Sequence, residues 1–225
     1  MKQTIIVLAL LCTSLLPAMA QNDVEDVIAI KNVPLLIKFV ARDSEMLDNN
    51  VVAVHGLYVT RFEITQKQWL SLMSCNNSTV KGDQLPVTNI TADSAEAFCR
   101  KLDRLLAFGV RLLTEEEWQY IACGGLYPEH YRYCGSNNAD FVTWHKANSH
   151  KRPHKGGERV SNELGIYDLG GNVGEMVTCG EKCYKVAGGN YMSSANECTP
   201  KSLKPYNGPN ETTGLRVCWP ITMYY

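Results

Sequence analysis

Beyond its first twenty residues the chain has no apolar run near the ~18 residues a membrane span needs, so no transmembrane segment is expected. It also lacks an excess of charge of either sign. There are 22 Lys and Arg against 23 Asp and Glu, a formal net charge of −1. That removes the basic face on which nucleic-acid binding depends, and no charge run marks a solvated tail. Nothing repeats, and no low-complexity linker divides the chain, which argues for one irregular domain. Close cysteine or histidine pairs are scarce too. Of nine cysteines only Cys179 and Cys183, in "CGEKC", lie near each other, so a four-ligand zinc cluster is not expected.

What is present starts at the N-terminus. Lys2, the apolar "TIIVLALLCTSLLP" and the small residues "AMA" before Gln21 read as a signal peptide over residues 1–20. The mature protein is then exported, to the periplasm, the cell surface or the medium. In such a compartment the remaining eight cysteines favour disulfides. Cys179 and Cys183 flank Gly180 at what reads as a hairpin tip, where a short bridge would act as a local staple.

Residues 32–43 and 51–65 are rich in Val, Ile, Leu and Phe with partial alternation and predict strands. "TQKQWLSLM" predicts a helix opened by a capping box of Thr65 and Gln68. "DSAEAFCRKLDRLLAFG" predicts a longer one, with Asp93 as cap and Ala95, Phe98, Leu102 and Leu105 on one face. "RLLTEEEWQYIACGG" repeats the capping box with Thr114 and Glu117. From about residue 125 the helical period disappears, and short apolar pieces alternate with Gly, Asn and Pro. His145, His150 and His154 fall among Lys and Arg, as in an exposed cationic loop.

Six segments, in order, resemble blocks of the formylglycine-generating enzyme family, whose unit is also called the sulfatase-modifying factor domain. They are "LYVTRFEITQKQWLSLM", "LPVTNITADSAEAFCRKL", "RLLTEEEWQYIACGG", "SNELGIYDLGGNVGEMV", "VAGGNY" and "GLRVCW". The resemblance spans roughly residues 33 to 220 and looks like that of secreted bacterial members. It implies an α+β, C-type-lectin-like fold with little regular secondary structure. Enzymes of this family oxidise a sulfatase cysteine to formylglycine with oxygen and a copper(I) ion held by two thiolates, a donor pair that soft copper(I) prefers.

Laid on "GGNYMSSANECTP", the family pattern puts Ser193 at the first catalytic cysteine and Cys198 at the second. Asn190 replaces the serine that follows the two glycines. A hydroxyl does not ionise near neutral pH, so copper is not expected. The resemblance then implies a pseudoenzyme, a non-catalytic module binding a protein, peptide or glycan; copper-dependent sulfatase maturation is the alternative. It implies a disulfide between Cys99 and Cys218. It leaves Cys198 either as a new partner for Cys123 or as a free thiol. In "YDLGGNVGEM" it implies calcium, held by Asn172, Val173 and Glu175 through hard oxygens. A second calcium position near Asn148 has no evident acidic partner.

Overall fold

The structure is a computed structural model that describes residues 26–46, 52–126 and 128–224. The predicted signal peptide lies outside these residues. Strands β1 (Asp26–Ile30), β2 (Val33–Met46), β3 (Val52–Thr60), β4 (Arg111–Leu112) and β9 (Val217–Tyr224) form one sheet in the order β1-β2-β3-β9-β4. A second sheet joins β7 (Leu203–Pro205), β6 (Tyr184–Ala187), β5 (Gly174–Thr178) and β8 (Thr213–Gly214) in that order. Every pairing is antiparallel except β5 with β8.

The partial alternation of β2 has a physical cause, because the large sheet is covered on both faces. Leu35 and Ile37 join Trp69, Phe98, Leu102 and Trp219 in one buried cluster. Val40, Leu57 and Val59 join Trp118, Ile121, Val177 and Ala187 in another. Side chains of both parities are therefore apolar. The first cluster is roofed by α1 (Gln66–Leu72) and α2 (Ala92–Leu106), with the Trp69 and Phe98 rings stacked at 5.2 Å. The second takes the inner side of α3 (Glu115–Ala122) and of the small sheet. A single turn, α4 (Ala139–Val142), is the last α-helical segment among the described residues.

Local signals set the helix starts. Thr65 with Gln68, and Thr114 with Glu117, make both bonds of a capping box, satisfying backbone donors that a helix leaves free. For α2 the cap is Thr91 rather than Asp93, which sits in the first turn where its charge favours the helix dipole. Cys179 and Cys183 are bridged, closing the tip between β5 and β6 as the spacing suggested. Cys99 and Cys218 are not. Both are buried free thiols, and Cys218 Sγ instead accepts from Arg111 at 3.3 Å and donates toward the Leu112 carbonyl at 3.7 Å.

The two sheets meet at Arg216, which is fully buried just before β9. Its guanidinium bonds both oxygens of Glu175 on β5 at 2.6–3.0 Å, the Thr60 carbonyl at the end of β3 at 2.6 Å and the Tyr167 carbonyl at 2.7 Å. Removing one partner of a buried pair strands the other charge, at a cost of about 3–5 kcal/mol. Arg216→Met should therefore lower the unfolding free energy by about that much, read from chemical denaturation. An unchanged midpoint would mean that Glu175 finds other neutralisation.

Candidate functional site

The Gly188-Gly189 pair after β6 lets the family's site segment pack. Both residues have positive φ, +87° and +69°. A Cβ on Gly188 would stand 2.3 Å from the Leu169 carbonyl oxygen, and one on Gly189 2.4 Å from that of Glu197 and 3.0 Å from Cys198 Sγ. Only glycine allows this approach. The turn beyond is held from several sides. Lys146 N donates to the Ser193 carbonyl at 2.9 Å, Ser149 Oγ to the Tyr191 carbonyl at 2.8 Å, and Tyr191 N to the Asn172 carbonyl at 2.8 Å.

Within that turn Ser193 and Cys198 do separate jobs. Ser193 is buried, and its Oγ accepts from Asn190 N at 3.2 Å, closing the turn on itself. Asn190 Oδ1 accepts from Met192 N at 2.9 Å. A 3-10 turn, Ala195–Glu197, separates 193 from 198. Cys198 has no exposed surface, and its Sγ lies 3.5 Å from the Ser194 carbonyl. Burial pushes its thiol up to about 12, so it is protonated at neutral pH. Copper(I) needs two thiolates here, and the positions offer a hydroxyl and a protonated thiol. They do not fit that ion.

Asn172, Val173 and Glu175, the residues expected to hold calcium, are all buried. Asn172 Oδ1 accepts from His154 N at 2.8 Å, while Nδ2 donates to Glu63 and to the His154 carbonyl. Glu175 gives its oxygens to Arg216 and to Trp118 Nε1 at 2.8 Å. Val173 N donates to Glu63 Oε1 at 3.3 Å. Asn172 Oδ1 and both Glu175 oxygens thus accept from protein donors. Asn172, Val173 and Glu175 form a buried hydrogen-bond network with Glu63, His154 and Arg216. Near Asn148 the acidic neighbour is Asp140, which accepts from Asn148 Nδ2 and faces His145 Nε2, each at 3.0 Å.

Two acids that sequence reading passed over complete the network. Glu63 and Asp168 are both buried, and their charges act on the Arg216 guanidinium that Glu175 bonds directly. Burial, then the charges of Asp168 and Glu175, hold the Glu63 carboxyl well above its usual range. Burial raises Asp168 to about 6, although Gly157 N donates to its Oδ2 at 2.8 Å. The basic loop also differs from expectation. His145 and His154 are buried rather than exposed, and His154 stacks on Trp144 at 3.7 Å, with Arg159 at the same distance from that ring's centre.

A cavity of about 450 Å³ opens beside this region. Cys123 at the end of α3, Tyr131, Arg132, Tyr133, Glu163 and Lys201 line it. No single-residue motif announces it. The signal was the "YRYC" run, aromatics interleaved with a cation in a segment without periodicity.

Fold and site together define a C-type-lectin-like protein of the formylglycine-generating type. The sulfatase-modifying factor enzyme 1-like domain matches residues 13–221, and the chain belongs to that family. It is 30% identical over 239 residues to the chaperone protein LppX of Paenibacillus barcinonensis, covering 80% of this chain and 85% of that protein. Variable protein 1 of Treponema denticola has the same fold, with a TM-score of 0.75 at 20% identity over 87% of this chain and 99% of that one. PvdO from Pseudomonas aeruginosa does too, with a TM-score of 0.63 at 14% identity over 87% and 98%.

A raised carboxyl fixes the sign of a pH effect. Folded Asp168 keeps its proton up to about 6, whereas the unfolded residue releases it near 3.8. Between those values the native state binds more protons, so this group's contribution to stability is lost as pH rises. Asp168→Asn should flatten that fall and be more stable than the parent at neutral pH, by denaturant midpoints measured across the range. Calcium added after chelation should leave both midpoints where they were. A rise on adding it would support the calcium assignment.

Proposed function

We propose that this chain is an exported, non-catalytic binding module that takes a protein or peptide partner in the cavity beside Cys123. The observation that carries the non-catalytic half is the pair of positions 193 and 198. One holds a hydroxyl bonded into its own turn, and the other a buried, protonated thiol. The scaffold of the reaction is present without its metal-binding pair.

The binding half rests on the cavity. Its wall combines tyrosine rings with Arg132 and Lys201, and Arg132 lies 5.5 Å from the centre of the Tyr133 ring while donating to Asn196 Oδ1 at 2.8 Å. Rigid aromatics with a tethered cation suit acidic and aromatic peptide side chains. The name of one relative, a chaperone protein, supports a polypeptide ligand over a glycan.

Two measurements test the halves separately. Purified protein incubated with copper(I), oxygen and a Cys-x-Pro-x-Arg peptide should give no aldehyde by mass, and Ser193→Cys should give none either. Aldehyde from the parent protein would replace this reading with sulfatase maturation. A displayed peptide library selected on the immobilised protein should yield acidic or aromatic binders. Arg132→Glu combined with Lys201→Glu should reduce their affinity at least tenfold, about 1.4 kcal/mol. Peptides that bind the double variant equally well would remove the cavity from the function.

A further inference from the structure

The segment that supplies Tyr131, Arg132 and Tyr133 to the cavity is bounded by two cysteines, Cys123 and Cys134. Both are free thiols in this structure: Cys123 is exposed in the cavity wall, while Cys134, the residue after Tyr133, is buried. Their backbones are held together by other contacts. Ala122 and Tyr133 line the same cavity, and Ile121, Ala122 and Cys134 share one core cluster. Asn162 Nδ2 donates to the Ile121 carbonyl at 2.8 Å, and Gly135 packs so tightly on Asn162 that a Cβ there would lie 2.7 Å from its Cα. One residue thus pins both chain ends.

Cys198 is the other thiol of this region, and its orientation takes it out of the pairing. Its Sγ points into the Gly189–Ser194 turn, while its carbonyl oxygen is the atom nearest a Cβ built on Gly170. Cys134 Sγ is 3.5 Å from that same built Cβ. Burial, then the charges of Cys123, Glu175 and Cys198, push the Cys134 thiol up.

We propose that Cys123 and Cys134 form a disulfide in the exported protein, and that this bridge latches the cavity wall. The oxidant is a small-molecule or protein disulfide. The thiolate of Cys123, beside Lys201, attacks one sulfur of the donor and expels the first donor thiolate. Cys134 loses its proton and attacks the Cys123 sulfur of the mixed disulfide, expelling the second. The donor gains two electrons, the protein loses two, and both cysteine protons leave to solvent. The intervening residues then form a closed loop, whose freedom is reduced before any ligand arrives. The bridge is independent of what the cavity binds.

The test uses purified protein without its signal segment, incubated with oxidised glutathione, alkylated without reduction and digested with trypsin. The expected product joins peptide 112–132 to peptide 133–146 at their summed mass less two hydrogens. Cys134→Ser should leave glutathione or the alkylating agent on Cys123. Hydrogen exchange in residues 128–133 should slow on oxidation of the parent and not of that variant. Alkylated Cys123 in the oxidised parent, or Cys123 joined to peptide 186–201 through Cys198, would overturn the pairing. A bridge that forms with no change in exchange would overturn the latch. Neither result depends on whether the peptide library finds a ligand.

Discussion

The fold depends on one guanidinium. Arg216 touches the large sheet, the small sheet and the loop that holds Tyr167 at once, through Thr60, Glu175 and Tyr167. An ion in that position must have all its donors used, because the surrounding medium offers little solvation. Bidentate contact with Glu175 and two carbonyls uses four of its five N–H donors, and Trp118 Nε1 completes Glu175. The geometry of both sheets is thereby coupled to that of a single side chain.

The same centre is overloaded with negative charge. Glu63, Asp168 and Glu175 face one arginine, so at least one carboxyl is better accommodated with its proton. The surplus sits under the 168–172 loop, where Asp168 and Asn172 adopt positive φ of 59° and 50°. Asp and Asn tolerate that conformation better than other side chains. The loop thus places polar groups in the interior at some cost in stability. What it achieves is position: Asn172 bonds His154 on one side and Glu63 on the other, and its carbonyl anchors Tyr191 in the site turn.

Elements governed by local chemistry were legible in the sequence. The capping boxes at Thr65 and Thr114, the strands β2 and β3 and the Cys179–Cys183 staple all follow from residues close in the chain. The family resemblance supplied the fold, which no periodicity after residue 125 would have given. The misses are long-range. Asn172 and Glu175 were read from their oxygens alone, and sequence cannot show that His154 N bonds the one and Arg216 the other. His145 and His154 sit among cations in the chain, yet Asp140 and Trp144 draw them inward. In each case residue type was read correctly and partner was not.

The departures from the catalytic pattern have a consequence for how the scaffold is used. A reaction site must keep two thiols ionisable and exposed to substrate, which conflicts with tight packing around them. With a hydroxyl at 193 that conflict disappears, and the turn closes on itself, burying Cys198 against Gly189 and Ser194. Accessible side chains lie instead at the cavity edge, where Tyr131, Arg132 and Lys201 are exposed. The turn that ends at Cys198 continues directly into Thr199, Pro200 and Lys201, which line that cavity. Selection on the exposed edge can then proceed without disturbing the buried network, because the two are separated by Cys134 and the Leu169–Gly171 loop.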